Sequence, residues 1–237
     1  MAKRAERKQA KDIEWLKVSS RQIGEGAYGK VYTGRIKFRG QRPTRVAVKR
    51  FHLPIDAHLA SYEAVIRKLR AARVKIVKTG FVKLDTGEHV QVQPLFGATV
   101  KGSKLNAVFL RQRSDYLGHV ISSKFIDSQI NLSNKATRRG LISKLASIVN
   151  AGYPPMFDAV SVMKTRTAPA FVVHDLDLLA KHERGECEAG ITGRQLYRWI
   201  IAISENAKIP PKEIKQEFVK AIRHPEGIRA LRGIIAT

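Results

Sequence analysis

Apolar and polar positions alternate at short range over the first third of the chain and recur at helical spacing over the remainder. From Gln22 to Gln93 the pattern is that of strands. Between Lys30 and Phe38, Tyr32, Ile36 and Phe38 share one parity and Val31 takes the other, the period-2 signature of a half-buried strand. Arg39-Gly40-Gln41-Arg42-Pro43 is turn chemistry, so Arg45–Phe51 reads as the next strand. Phe81–Leu84 and His89–Val92 flank Asp85-Thr86-Gly87 and predict a hairpin. Between these strands, Asp56 to Arg73 repeats Leu59, Tyr62, Ile66 and Leu69 at three- and four-residue spacing, which predicts an amphipathic helix with Asp56 at its start as a cap.

Past Pro94-Leu95-Phe96-Gly97 the period becomes helical, apart from an irregular stretch over Ala98 to Asn134. Arg138 to Asn150 sets Leu141, Leu145, Ile148 and Val149 on one face and stops at Ala151-Gly152. Ala170–Val173 is a short apolar strand that ends in His174-Asp175-Leu176-Asp177. Two helices follow, Arg194 to Asn206 with Leu196, Trp199, Ile200 and Ile203 inward, and Pro211 to Arg223, opened by its proline. The expected class is α+β. Residues 1–20 read as a basic arm or helix, 21–94 as a small antiparallel sheet with one helix, and 95–237 as a compact, mainly helical lobe.

Composition narrows the class of protein. The 237 residues carry 44 Lys+Arg against 20 Asp+Glu, a formal charge of +24, with 43% hydrophobic content. That apolar share supports a buried core and excludes disorder throughout. No apolar run approaches the roughly 18 residues of a membrane span, and Met1–Lys8 lacks the apolar stretch of a signal peptide, so a soluble, cytoplasmic protein is expected. The single cysteine, Cys187, allows no internal disulfide and fits a reducing compartment. His174, His182, Glu183 and Cys187 have no standard metal-ligand spacing and read as surface or packing residues.

The candidate chemistry begins at Gly24-Glu25-Gly26-Ala27-Tyr28-Gly29-Lys30-Val31. This segment satisfies G-x-G-x-x-G-x-V, and it also contains the Rossmann pattern and the G-x-x-x-x-G-K of a Walker loop. Rossmann and Walker loops open a helix whose N-terminus holds phosphate, whereas here a strand-like segment follows; a Walker loop also needs Ser or Thr where Val31 stands. Another near-match to a Walker loop, Gly97–Lys104, has its serine and lysine in inverted order. A plain hairpin turn is the remaining alternative. The next strand carries Val46-Ala47-Val48-Lys49, which is similar to the V-A-I-K pattern and places Lys49 20 residues after Gly29. Ala47 and Lys49 share a strand face, so a small residue admits an adenine while the ammonium reaches phosphate. Glu63, beside the apolar stripe of the helix, is the carboxylate available to position Lys49; its plain alternative is an exposed glutamate near Arg67.

On these residues the chain resembles the protein-kinase-like fold over roughly Gln22 to Asp177. The resemblance implies a bilobal arrangement, a hinge at Gln93 to Gly97, and ATP with magnesium as the bound groups. It implies Gly24, Gly26, Gly29, Val31 and Ala47 around the nucleotide, Lys49 paired with Glu63, and Asp158 as the residue that orients the acceptor hydroxyl. Asp175 stands at the magnesium aspartate, with Asp177 two residues on where the family has glycine. Asp158 also reads as a turn or cap residue. The chain departs from the pattern at Met156 and Phe157, where the family has His and Arg, and at Met163, where it has a magnesium-binding Asn. No A-P-E follows Asp177. Three functions are therefore open: an ATP-dependent phosphotransferase acting on a hydroxyl of a protein or small molecule, a nucleotide-binding module with impaired transfer that serves as a scaffold or sensor, or a nucleic-acid-binding protein whose glycine loop is accidental. The charge, with Lys3, Arg4, Arg7, Lys8 and Lys11 on the arm, Arg67, Lys68, Arg70 and Arg73 on the helix, and Lys135, Arg138, Arg139 and Lys144 beyond it, reads either as solubilising surface or as a site for an acidic macromolecule, RNA or a ribosomal particle, the partner expected here, with no membrane.

Overall fold

The computed structural model describes residues 13–94, 107–109, 131–157, 159–163 and 170–234; Asp158 and the cations Lys3, Arg4, Arg7, Lys8 and Lys11 lie outside them, as does most of the expected hinge. Among the described residues the fold is α+β, with a five-stranded antiparallel sheet, a three-stranded sheet and six helices. The strands of the larger sheet are β1 (Ile13–Gly26), β2 (Gly29–Phe38), β3 (Thr44–Phe51), β4 (Gly80–Lys83) and β5 (His89–Pro94), in the order β1-β2-β3-β5-β4. The expected strands 30–38 and 45–51 and the 81–92 hairpin are present. Strand begins nine residues earlier than Gln22, at Ile13, because Leu16 pairs Ile36 and Val18 pairs Gly34 on the buried side of the sheet.

One face of this sheet is the core of its unit. Ile36, Val46, Val48, Val90 and Val92 are buried on it, flanked by Leu16, Val18, Phe38, Val82 and Leu84. Alternation puts every second residue of β2, β3 and β5 on this face, so hydrophobic burial fixes the register of all three strands. Contacts group these strands, with the described residues up to Leu59, into one unit.

The second unit takes Ala60–Ile76 and the described residues beyond the sheet. Its helices are α1 (Leu59–Ala71), α2 (Lys135–Asn150), α3 (Asp177–Glu183), α4 (Ile191–Ala207), α5 (Pro211–Ala221) and α6 (Pro225–Gly233). Its small sheet is β6 (Ala107–Phe109), β7 (Val160–Met163) and β8 (Ala170–Val173), of which only β8 was expected. Thus α1, assigned from sequence to the first lobe, packs with the helical unit. Its inner face is Tyr62, Val65 and Leu69, while Leu59 and Ile66 are half-buried, so the stripe turns toward Val65. On α2 and α4 the expected faces are buried: Leu141, Leu145, Ile148 and Val149, and Leu196, Trp199, Ile200 and Ile203. Asn134 caps α2 by accepting from the amides of Ala136 and Thr137, and Gly152, with φ +85°, takes the chain out of it. Trp199 donates its indole N–H to the carbonyl of Pro155 (2.7 Å), and its ring meets Phe157 at 4.4 Å between centroids. Met156 and Phe157 are thus core residues, 5% and 2% exposed. Asp56 does not cap α1: it lies in a single 3-10 turn, Asp56–His58, and its carboxylate accepts from His89 Nδ1 at 2.6 Å.

Candidate functional site

The glycine-rich segment is the tip of a two-strand ribbon. Gly24 pairs Val31, Glu25 pairs Lys30 and Gly26 pairs Gly29, so Ala27 and Tyr28 alone make the turn. None of the three glycines has a left-handed backbone, so their sequence signal is not explained by turn geometry. Gly29 is required sterically: a Cβ there would overlap the carbonyl oxygen of Arg50 on β3. Gly24 and Gly26 differ. A Cβ at Gly24 would meet only Val31 Cβ at 3.8 Å, and one at Gly26 would meet nothing within 4 Å. The fold itself has room for side chains at both positions. His52, which no motif or period singles out, ties the tip to β3: its backbone N–H donates to Tyr28 O and its Nε2 donates to Gly26 O, each at 3.1 Å.

Behind the tip, register assembles the remaining candidates. Gly24, Val31, Lys49, Gln91 and Phe81 lie directly opposite one another across β1, β2, β3, β5 and β4, in one row on the face away from the valine core. Thr33, Ala47 and Gln93 form the next row. Residues opposite one another in antiparallel strands point to the same side, so Val31, Ala47 and Lys49 share one surface with Gly24 at its end. Lys49 is half-buried, with Nζ 5.6 Å from the centroid of the Phe51 ring. Gln91 is 3% exposed and its Nε2 has no hydrogen-bond partner among the described residues. A buried amide donor left without an acceptor costs about 1–3 kcal/mol, so Gln91 is a polar group that the valine-packed strand carries at a cost. Gln91 was missed because a glutamine in an alternating strand carries no distinctive pattern.

The described carboxylate candidates all belong to the helical unit. Glu63 is exposed on α1 and makes no ion pair among the described residues. Its neighbour Tyr62 is buried, and its hydroxyl donates to Asp177 Oδ1 at 3.1 Å. Burial first, then the adjacent Asp177 charge, holds the Tyr62 hydroxyl far above the ordinary tyrosine range, so it acts only as a donor. Asp177 is 3% exposed and begins α3, so the chain runs from β8 through Asp175 and Leu176 directly into a helix. The half-buried Asp175 accepts the Asp177 backbone N–H at 3.0 Å, which fixes the two carboxylates relative to each other. At the other end of α3, Glu183 accepts from Lys68 at 2.8 Å and from the Tyr153 hydroxyl at 2.6 Å. Burial pushes the Glu183 carboxyl up, but the hydrogen bonds from Lys68 and Tyr153 and the Lys68 charge outweigh it, and the carboxyl stays below its usual range. Met163 closes β7 opposite Ala170 of β8. Among the described residues no group of three or more His, Cys, Asp or Glu converges for a metal ion, and Cys187 is a half-buried thiol whose pKa burial raises.

In comparisons with known proteins, no family model and no curated protein matches this chain. Among the described residues no helix is long and apolar enough to cross a membrane.

Proposed function

We propose that this chain is an ATP-dependent phosphotransferase of the protein-kinase-like fold, with a bilobal arrangement of its two units. The observation that carries this reading is the row Gly24–Val31–Lys49–Gln91 with Ala47 in the next row, on one face of the sheet. Two further features among the described residues support it: glycine at positions 24 and 26 where a side chain would have room, and a buried amide with no acceptor opposite Lys49. In this reading the backbone of Gly24, Gly26 and Gly29 lies along the phosphates. Val31 and Ala47 bound the adenine, and the Lys49 ammonium, oriented by Glu63, neutralises phosphate charge. Asp158 orients the acceptor hydroxyl and takes its proton as the oxygen bonds to the γ-phosphorus and the bond to the bridging oxygen of ADP breaks. Asp175 and Asp177 offer the hard oxygen donors that would hold magnesium, which supplies charge neutralisation at the β- and γ-phosphates when bound.

A second reading keeps the nucleotide face and drops efficient transfer, leaving a scaffold or sensor on an acidic partner. Met163 favours it, because a thioether stands where the family has a magnesium-binding amide. Incubation with γ-labelled ATP, magnesium and hydroxyl acceptors separates the two. The first reading expects labelled acceptor with the wild type and none with Asp175→Ala; ATP that binds without transfer to any acceptor selects the second. Both require that ATP–Mg at about 100 times its Kd stabilise the fold by roughly 2.7 kcal/mol, and that Lys49→Ala remove most of that shift. A melting temperature indifferent to millimolar ATP overturns both.

A further inference from the structure

Two residues along β3 from Ala47, the same face of the sheet changes character. Lys17 of β1, Arg35 of β2 and Arg45 of β3 are directly opposite one another in register, and all three are exposed. None has an acidic partner among the described residues, although Lys37, two residues further on β2, is paired with Glu14 at 2.7 Å. Like charges placed directly opposite in antiparallel strands repel, so three in one row is an arrangement the isolated fold gains nothing from. Strands lie about 4.8 Å apart, so the row spans roughly 10 Å, the reach of adjacent phosphates on an extended polynucleotide strand. Beside the row sits an aromatic ring. Trp15 pairs Lys37 on the same face, is half-buried, and has Lys17 Nζ 5.4 Å from its ring centroid.

We propose that Trp15, Lys17, Arg35 and Arg45 form a binding site for a single-stranded polynucleotide, with phosphates on the three cations and a base stacked on Trp15. Cations alone fit any polyanion. The ring alongside them selects a nucleic acid over an acidic polypeptide, because only the former has bases to stack, and a single strand over a duplex, whose bases are stacked on each other. This inference deepens the acidic-partner part of the reading above, locating it on the sheet, and is independent of phosphoryl transfer.

The chain holds two tryptophans, and Trp199 is 1% exposed with its indole N–H bonded inside the helical unit, so ligand-dependent fluorescence reports Trp15. The full chain is titrated with oligouridylate and oligothymidylate of roughly 12 nucleotides, within the span such platforms cover, with the matching duplex, and with polyglutamate of equal charge. Expected are quenching by one or both single strands, weaker binding of duplex, and little change with polyglutamate. The two single strands together distinguish RNA from DNA as the source of the strand. Changing Lys17, Arg35 and Arg45 together to alanine is expected to reduce the slope of log affinity on log salt by about 2, roughly 0.7 for each contact. Trp15→Leu is expected to weaken binding about tenfold and Trp15→Phe to restore most of it. All three cations are exposed, so the triple variant retains the fold, which its melting curve checks. An unchanged slope in that variant, or polyglutamate competing as well as the oligonucleotide, overturns the site. If deletion of residues 1–12 flattens the slope and the triple variant does not, the sheet site fails while the acidic-partner reading stands; if no polynucleotide binds the wild type, both fail.

Discussion

The two faces of the five-stranded sheet share one backbone and oppose each other in chemistry. On one face Val46, Val48, Val90 and Val92 are 7% exposed or less; on the other, rows of Gly24, Val31, Lys49 and Gln91 and of Lys17, Arg35 and Arg45 cross the same strands. The difference shows how packing on one face fixes where the side chains of the other face stand. A one-residue slip would move the valines to solvent, so their burial holds the register, and the register places Lys49 opposite Val31. The apolar face does the folding, and the polar face inherits its geometry.

The sharpest way to break this coupling is at Gly29, where a Cβ would overlap the backbone of β3. Gly29→Val is expected to separate β2 from β3 and cost about 3 kcal/mol or more, because backbone cannot move aside as a flexible side chain would. Gly26→Val, with nothing within 4 Å of the added Cβ, is expected to leave chemical denaturation unchanged and to weaken nucleotide binding alone. Equal loss of stability in both variants would contradict the steric distinction between the two glycines.

A smaller effect separates neighbouring residues on opposite faces. Val48 is fully buried, and Val48→Ala is expected to destabilise by about 2 kcal/mol through lost transfer energy and a residual cavity. Lys49→Ala, one residue on, is expected to destabilise the fold less than Val48→Ala does without ligand, since the Lys49 side chain is half-buried where Val48 is fully buried. Urea titrations of the two variants in the absence of nucleotide test this; a Lys49→Ala loss as large as that of Val48→Ala would make Lys49 a structural residue.

The helical unit tests whether polar contacts there carry stability that the sheet obtains from valines. Glu183, held by Lys68 and Tyr153, has its pKa depressed in the folded chain. Between the folded value and the ordinary carboxylate range the unfolded chain binds the extra proton. The contribution is therefore complete above that range and is lost as pH falls through it toward the folded value. Glu183→Gln is expected to be less stable than wild type at neutral pH, with the gap closing in acid. A gap constant with pH would show that the charge is not what Lys68 and Tyr153 hold.

The legibility of these regions in sequence follows from separation along the chain. The glycine loop, Ala47 and Lys49 lie within 26 residues, and period-2 alternation is enough to put Ala47 and Lys49 on one face. The pairing of Tyr62 with Asp177, and of Lys68 with Glu183, spans 115 residues in each case, and no local period reports it. Tyr62 was visible only as one more apolar position in a stripe. The early start of β1 was hidden by charge: Lys17 looks like an arm residue until Leu16 and Val18 are set against Ile36 and Gly34 of a strand already predicted. Short elements, β6, β7, α3 and α6, hold too few residues for a period to show.

The smallest expected effect concerns the cation row. Arg35 stands between Lys17 and Arg45 in register, so it meets a like charge on both sides. Arg35→Gln keeps much of the side-chain length and removes both repulsions, each of which is a few tenths of a kcal/mol at an exposed site. The variant is expected to melt about 1–2 °C higher than wild type at low salt, given roughly 2–4 °C per kcal/mol for a chain of this size. Screening should erase the difference as the Debye length shrinks to about 3 Å near 1 M salt, because the repulsion acts through solvent. Thermal melts at the two ionic strengths, with no polyanion present, give the answer. A gain at low salt that vanishes at high salt identifies the row as a charge arrangement held against the stability of its own sheet. Destabilisation at both salts would mean that Arg35 packs or pairs favourably in the unliganded fold, and the argument that its charge awaits a partner would lose its premise.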